Sequence, residues 1–317
     1  MQNRVGQDRE QKRSPMSTRT YKTAAALEMA VKAAARKSDQ DTSRAIQDFY
    51  PGRLLERVFS EENSRFVLKG GRSVLARTVD ARYTRDTDFL YEGDNLDKAL
   101  EELKRLAATD LGDFIEFKFV SASSIAEEQE YRSGYRVVFT PVLGGTKKMS
   151  DVSIDLVVDQ VPTSDADIVK PANRLDIEGL PVFDYHIYPA VCAIADKTCA
   201  TMQTYTGNRP SSRVRDLVDI VVYLTTETID GHSLSTRLAL EMRLRGLSSP
   251  GCFTIPQEWR TASFSKTYAK CAKEANLPKG WQKIEAAEQL AKKCIDPAIS
   301  GEAESMSWNP EELEWNE

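Results

Sequence analysis

Apolar and polar residues alternate, or form short apolar runs, in five segments of the N-terminal half of the chain. Such patterns are typical of β-strands. The five segments are residues 66–69, 87–91, 114–123, 135–143 and 152–160. The turn-rich sequence GGTKKMSD between the last two segments predicts a β-hairpin.

Apolar residues recur with a period near 3.6 in further segments of this half, which predicts helices. These segments are residues 20–37, 41–62, 72–79 and 95–109. Pro51-Gly52 interrupts the second segment, so two short helices are an alternative there. One helix follows each of the first two strands. This favours an α+β fold over the strict strand–helix alternation of a Rossmann fold.

From residue 186 onward the apolar spacing is helical throughout, and prolines cluster between residues 161 and 185. We therefore predict a mixed sheet lobe, a connector and an all-helical C-terminal lobe, with a flexible segment at each end. The predicted divisions are a basic N-terminus (1–19), the sheet lobe with its N-terminal helices (20–165), the connector (166–185), the helical lobe (186–299) and an acidic tail (300–317).

Composition argues against several classes of protein. The 317 residues contain no uncharged apolar run of eighteen or more, so we expect no membrane span and a cytoplasmic location. The five cysteines form no C-x-x-C pair, which argues against a zinc site. There are two histidines, and neither a P-loop nor a kinase glycine motif is present. These observations disfavour a Ser-His-Asp triad, a histidine metal site, a P-loop NTPase and a kinase.

Charge is unevenly distributed along the chain. The overall net charge is −5, but residues 1–40 carry +5 and residues 301–317 carry −6. We expect residues 1–18 and 300–317 to be solvated tails. An acidic chain is a poor general binder of nucleic acid, so an RNA substrate would need a local basic surface. Candidates for that surface are Lys22, Lys32, Arg36 and Lys37, and Arg237, Arg243 and Arg245.

Two carboxylates lie one residue apart on the second predicted strand. Side chains at i and i+2 of a strand share a face, so Asp86 and Asp88 point the same way. Like charges this close repel unless a cation lies between them, and hard carboxylate oxygens suit Mg²⁺. The pair is therefore a candidate metal site, with a solvated polar strand face as the alternative.

A glycine pair and a buried carboxylate accompany this motif. Gly70-Gly71 lies between a strand and a helix, where the backbone can approach an anion and the helix N-terminus offers free N–H groups. With the hydroxyl of Ser73, this turn suits a triphosphate, although an ordinary tight turn is the alternative. Asp155 lies in the apolar strand VSIDLVV, so either a metal or an arginine partner must compensate its burial.

Four segments together resemble the AbiEii/AbiGii toxin family of the polymerase-β-like nucleotidyltransferase superfamily. KGGRSVLAR and RYTRDTDFL are similar to the glycine turn and the R-x-[ST]-x-D-x-D pattern of the family. AIADKTCAT and RVRDLVDIV are similar to its later helices with an acidic–Lys pair and an R-D-x-x-D pattern. The matching residues are Arg82, Thr84, Asp86, Asp88, Lys197, Arg215, Asp216 and Asp219. Arg72 departs from the family, which commonly has Ser or Thr directly after the glycines.

The resemblance implies a role for each matching residue. Metal ligands would be Asp86, Asp88 and Asp155, holding two Mg²⁺ ions, and Asp155 could also be the general base. Nucleotide-binding residues would be Gly70, Gly71, Ser73, Arg82, Lys197, Arg215 and Asp219. Lys197 and Asp216 would also be catalytic. Without the resemblance, Lys197 could instead be a surface lysine. Asp216 and Asp219 could hold Lys197 or Arg215 in place, or they could face water.

The resemblance also implies an activity. The chain would transfer NMP from an NTP to the 3′ end of tRNA, block translation, have a cognate antitoxin protein and act in phage defence. One alternative is the same chemistry on a protein or small-molecule hydroxyl. The other is a catalytically silent protein that binds nucleotide or RNA.

Overall fold

The structure is a computed structural model that describes residues 20–125, 134–158, 165–247 and 251–317. Its main elements, in chain order, are α1 (Ala24–Lys37), α2 (Thr42–Val58), β1 (Phe66–Lys69), α3 (Gly70–Arg77), β2 (Thr87–Tyr91), α4 (Leu96–Ala107), β3 (Ile115–Ser124), β4 (Gly134–Leu143), β5 (Lys147–Lys148), β6 (Val152–Val158), β7 (Asp167–Val169), β8 (Tyr185–Ile187), α5 (Ala190–Met202), β9 (Thr204–Tyr205), β10 (Arg209–Pro210), α6 (Val214–Thr226), β11 (Ile229–Asp230), α7 (Gly231–Leu244), α8 (Ala262–Glu274), α9 (Ile284–Ser300), β12 (Ser307–Asn309) and β13 (Glu314–Asn316).

A mixed sheet forms the centre of the molecule. Within the described residues its strand order is β3-β4-β6-β2-β1-β8-β7, with β5 added to β4. The β2–β6 and β1–β8 pairs are parallel and the others are antiparallel. All five predicted strands are present, and β4 and β6 form the expected antiparallel pair. The α+β class, a mixed sheet lobe followed by a helical lobe, is confirmed.

Successive side chains of β1 and β2 pack into two different hydrophobic cores, one on each face of the sheet. Val67 and Leu90 pack into the core of the helical lobe. Phe66, Leu68 and Phe89 point the other way and pack with α1, α2 and α4. Because successive strand side chains face opposite sides, both faces of β1 and β2 are covered, which explains their continuous apolar character.

The second helix is continuous, which excludes the alternative of two short helices. Residues 42–58 form one uninterrupted helix with Pro51 inside it. Proline removes the hydrogen bond to the carbonyl of Gln47, one turn earlier. Pro51 and Gln47 both line a surface cavity of about 310 Å³. The helix therefore continues through the Pro51-Gly52 interruption.

The predicted connector, residues 166–185, is not separate from the sheet. It carries β7 and the first residue of β8, and β8 pairs in parallel with β1 at Leu68 and Ile187. The helical lobe begins at Ala190 rather than at residue 186. The connector therefore completes one edge of the sheet before the chain enters the helices.

The acidic tail is folded, which corrects the expectation that it is solvated. β12 and β13 form an antiparallel pair that joins β11. Trp308 is fully buried and its Nε1 donates to the carbonyl of Leu224 at 2.8 Å. Nε1 of Trp315 donates to the carbonyl of Cys294 at 3.1 Å. Burial of the Trp308 indole, with half-burial of Trp315, decides the position of the tail despite its charge. The predicted N-terminal tail, residues 1–19, lies outside the described residues.

Two of the three cations of the second predicted basic surface are not free, whereas the third, Arg243, is exposed. Arg237 is buried and donates to Glu241 at 2.6 Å and to the hydroxyl of Tyr188 at 2.8 Å. The side chain of Arg245 is only 3% exposed and pairs with Asp196 and Glu241. These cations are neutralised within the helical lobe and are not available to a polyanion. Those of the first predicted surface are exposed: Lys22, Lys32, Arg36 and Lys37.

No helix among the described residues is long and apolar enough to cross a membrane.

Candidate active site

A cleft of about 470 Å³ lies between the sheet and the helical lobe. Of the eleven predicted site residues, nine line this cleft: Gly70, Gly71, Arg82, Asp86, Asp88, Asp155, Lys197, Arg215 and Asp216. Ser73 and Asp219 lie behind its wall. Residues separated by more than 140 positions in the chain thus meet in one place, and most of the predicted site is brought together.

A row of four charged residues crosses the sheet at the floor of the cleft. Asp88 of β2 is in register with Lys69 of β1 on one side and with Asp155 of β6 on the other. Asp155 is in turn in register with Arg136 of β4. Directly paired residues project to the same face, so two carboxylates lie side by side between two cations. Sequence spacing predicted the Asp86–Asp88 pair, but only strand register places Asp155 beside it.

The glycine turn is shaped by Asp88. Gly70 has a φ of +64°, in the left-handed region, and an added Cβ would lie 1.9 Å from Oδ2 of Asp88. A Cβ on Gly71 would lie 3.1 Å from the side chain of Thr84. The turn thus needs Gly70 both for its backbone conformation and for the close approach of the carboxylate. The first N–H groups of α3 begin at this turn.

Replacing Gly70 with alanine is expected to lower both stability and nucleotidyl transfer. An L-residue in the left-handed region costs about 1–2 kcal/mol, and the new methyl group would displace Asp88. Urea denaturation and a transfer assay measure the two effects. Gly52→Ala is the matched control, because nothing lies within 4 Å of the added Cβ. A Gly70→Ala protein as stable and as active as wild type would contradict the role of this turn.

Neither Ser73 nor Arg72 reaches the cleft. The Ser73 side chain is buried, and its hydroxyl donates to the carbonyl of Gly70 at 2.8 Å. Arg72 points to the other side of α3, where it pairs with Asp48 at 3.3 Å. The predicted triphosphate contact of Ser73 is therefore not formed in the structure. At this turn, backbone N–H groups remain as the donors that face the cleft.

Asp155 has the arginine partner that was one of its two predicted alternatives. Its two carboxylate oxygens accept from Nε and Nη2 of Arg136, each at 2.8 Å. This hydrogen bonding raises the pKa of Arg136, and the charges of Asp86 and Asp88 add to the effect. Arg136 therefore lies within electrostatic reach of all three carboxylates.

The carboxylates suit a divalent cation, although they are not yet arranged around one. Among the described residues, no three His, Cys, Asp or Glu side chains are already grouped as a metal site. Asp88 lies on β2 and Asp86 directly precedes that strand. Both line the cleft, and Asp155 would join them by exchanging Arg136 for the cation. Hard oxygen donors of this kind are those that Mg²⁺ prefers.

Lys197 is the centre of a buried charge network on the helical side of the cleft. Its Nζ lies 3.1 Å from Oδ1 of Asp216 and 2.7 Å from Oδ2 of Asp219. Nε and Nη2 of Arg82 each lie 2.8 Å from an oxygen of Asp219. Arg213 donates to Asp216 at 2.7 Å. Of the alternatives for the two aspartates, the structure shows the one in which they hold basic side chains in place.

Lys197 and Asp216 of this network both stay ionised across the neutral range. Burial would lower the pKa of Lys197, but Asp216 and Asp219 outweigh burial and raise it above its usual value. Burial would likewise raise the pKa of Asp216, but Lys197 and Arg213 hold it below its usual range. Asp216 therefore contributes stability above about pH 4, and Lys197 does so below about pH 10. Lys197 is a fixed cation, unsuited to serve as a general base near pH 7.

Sequence reasoning missed part of the cleft. Arg213 lines it one turn before the R-D-x-x-D aspartates, and α8 supplies Phe264 and Thr267. The Phe264 ring stacks on the buried Trp259 at 6.2 Å between centroids, with the ring planes 19° apart. Nothing in the local pattern of α8 distinguishes these side chains from other half-exposed helix residues. Their role follows from the packing of α8 beside α6.

Comparison with known proteins shows the family of the chain. The sequence profile described as "Nucleotidyl transferase AbiEii toxin, Type IV TA system" matches residues 53–290. No curated protein matches the sequence. Two solved structures from Helicobacter pylori resemble the chain at a TM-score below 0.5, which by itself supports no conclusion. They are JHP933 (14% identity, TM-score 0.39, 82% of this chain and 96% of that one) and a candidate nucleotidyltransferase (15% identity, TM-score 0.36, 82% and 97%). Because the family match spans most of the sequence, the chain belongs to the AbiEii nucleotidyltransferase toxin family of type IV toxin–antitoxin systems.

Proposed function

We propose that the chain transfers NMP from an NTP to the 3′ hydroxyl of an RNA, with tRNA as the acceptor, and so blocks translation. The observation that carries this proposal is the meeting of the glycine turn, the three carboxylates and the Lys197 network in one cleft. We further propose that it acts in the cytoplasm as a phage-defence toxin. Its toxin–antitoxin family implies an antitoxin partner and a nucleotide substrate.

The carboxylate side of the cleft would hold the metal. Asp86, Asp88 and Asp155 would be the ligands of Mg²⁺, which supplies Lewis-acid stabilisation of the charge on the transferring phosphoryl group. Arg136 would release Asp155 when the metal binds. This exchange requires little energy, because 58% of the Arg136 side chain is exposed and an exposed ion pair is weak.

The opposite side of the cleft would hold the nucleotide. Arg82, Lys197 and Arg215 line the volume where the triphosphate would lie, and the N–H groups at the start of α3, beside Asp88, border it. Asp216 and Asp219 balance two of the three charges of Arg82, Lys197 and Arg213, so this network keeps a net positive charge toward the cleft. Asp216 and Asp219 fix Lys197 in one position, which orients its charge before the substrate binds. Phe264, supported from behind by Trp259, offers a ring face for the nucleobase.

The reaction follows from this placement. The acceptor oxygen attacks the α-phosphorus and forms a new O–P bond, while the bond to the leaving pyrophosphate breaks. The hydroxyl proton passes to Asp155 acting as base or to solvent. Positioning and charge supply most of the acceleration, since no covalent enzyme intermediate is needed.

Labelling tests the proposal directly. The protein is incubated with each labelled NTP, Mg²⁺ and total bacterial RNA, and the labelled macromolecule is identified. We expect label at the 3′ ends of tRNA in wild type and none with Asp88→Asn. Label found on protein or on a small molecule would replace the RNA acceptor by another hydroxyl. Absence of any transfer would favour a silent binding protein.

Replacing Arg136 with glutamine is expected to increase the stabilisation that Mg²⁺ gives to the protein. Without this guanidinium, the three carboxylates repel one another until a cation binds. Thermal melting with and without millimolar Mg²⁺ measures the shift for each protein. Lys118→Gln, an exposed cation on the neighbouring β3, is the matched control. Equal Mg²⁺ shifts in Arg136→Gln and wild type would contradict the exchange of Arg136 for metal.

A further inference from the structure

A second cavity, of about 780 Å³, adjoins the catalytic cleft. We call it the side groove. It shares five lining residues with the cleft: Arg82, Thr84, Asp86, Arg215 and Thr267. The two volumes are therefore continuous at Asp86, one of the candidate metal ligands. A chain lying in the side groove would bring its end to the carboxylates.

The side groove is basic although the protein is acidic. Six basic and three acidic side chains line it, against a net charge of −5 for the whole chain. Four of the cations form no ion pair with a carboxylate in the described part of the chain: Arg44, Arg85, Arg215 and Lys266. Lys270 lies 4.0 Å from Glu274, the limit of an ion pair. These charges remain available to a polyanion, unlike those of Arg237 and Arg245.

An aromatic residue is interleaved with these cations. The guanidinium of Arg44 lies 4.5 Å from the centroid of the Tyr83 ring. Tyr83 and Arg85 also line the neighbouring 310 Å³ cavity, so the groove continues along α2. Uncommitted cations along a groove that also contains an aromatic ring are typical of single-stranded nucleic acid sites. An acidic peptide would use the charges but would not need the ring or the continuity with the metal site.

We propose that the side groove binds the phosphate backbone of the single-stranded 3′ end of the acceptor RNA. Arg85, Lys266 and Lys270 contact phosphates, and the terminal hydroxyl enters the catalytic cleft past Asp86. This inference rests on the proposed function and specifies its acceptor side. As the RNA-binding surface, the side groove replaces the predicted one around Arg237 and Arg245, because ion pairs neutralise these two arginines.

Charge reversal on α8 tests this assignment. Lys266→Glu/Lys270→Glu changes two exposed side chains that line the side groove but not the catalytic cleft. Lys273→Glu/Lys279→Glu is the matched control, because both lysines are exposed and line neither volume. The probe is a 5′-fluorescein-labelled single-stranded RNA of about 12 nucleotides with a free 3′ hydroxyl. Binding is followed by fluorescence anisotropy over a range of salt concentrations.

We expect the side-groove variant to bind the RNA at least about tenfold more weakly than wild type. Its slope of log K against log salt should fall by about 1.4, since each phosphate contact on a single strand contributes about 0.7. The control variant should bind as wild type does. Binding of all four NTPs, measured by thermal shift with Mg²⁺, should be the same in the three proteins.

Two outcomes would overturn the inference, and neither depends on the proposed reaction. One is equal RNA affinity and salt slope in the side-groove variant and wild type. The other is equal weakening by both double variants, which would show a nonspecific charge effect. Failure of the proposed function has a different signature, namely that wild type transfers no nucleotide to RNA in the labelling assay.

Discussion

Asp88→Asn is expected to abolish nucleotidyl transfer, by about a thousandfold or more, without unfolding the protein. Asparagine keeps the shape that fits against Gly70 but removes the charge that a divalent cation requires. Asp88 also lies in register between Lys69 and Asp155, so its loss removes the middle carboxylate of the row. Transfer is measured with labelled NTP, and the fold is checked by thermal melting.

Asp94→Asn provides the matched control for this variant. Asp94 follows the same strand, and its side chain is exposed and lines neither the cleft nor the side groove. We expect it to retain full activity. A folded Asp88→Asn protein with wild-type activity would remove the carboxylate pair from the active site.

Lys197→Met is expected to have the second large effect, on stability as well as on activity. Methionine fills a similar volume, but Asp216 and Asp219 then lose the ammonium group that lies between them. Removing one partner of a buried ion pair typically costs about 3–5 kcal/mol of unfolding free energy. Urea denaturation near pH 7 measures this loss. Transfer should also fall, because the positive charge facing the triphosphate is gone.

Two further variants separate the structural effect from the catalytic one. Lys273→Met removes an exposed lysine from α8 and should change stability by less than about 0.5 kcal/mol. Lys197→Arg keeps the charge but not the compact geometry of the ammonium group, so it should recover more stability than activity. An unchanged denaturation midpoint in Lys197→Met would show that the network does not hold Lys197 in the folded protein.

The parts of the site that local spacing controls could be predicted. A two-residue step in an extended segment aims Asp86 and Asp88 at one cleft, although β2 begins only at Thr87. A strand followed by two glycines and a helix creates the turn at Gly70. Ser73 shows the limit of this reasoning. A hydroxyl three residues into a helix can turn back to the carbonyl of the first residue, and here it does so instead of facing the cleft.

The parts that depend on distant residues could not be predicted. The pairing of Arg136 with Asp155 requires the register between β4 and β6. The position of Phe264 requires α8 to pack beside the cleft. Neither residue belongs to a motif, and strand register and helix packing are set by contacts across the whole sheet and core.

By itself, the sequence determined five strands of the central sheet, most helices, the α+β class, the family resemblance and nine of the residues that line the cleft. Hydrophobic period and short spacing carry that information, because both act within a few residues. Tertiary structure decided which charges are free to act. Arg237 and Arg245 form ion pairs with carboxylates of the helical lobe and are neutralised, whereas Arg85 and Lys266 form no ion pair within 4 Å in the described residues. The acidic tail was likewise decided by a distant contact, the burial of Trp308 against α6. Composition cannot report such pairings, because the free energy of a charge or an indole depends on the neighbours that folding brings to it.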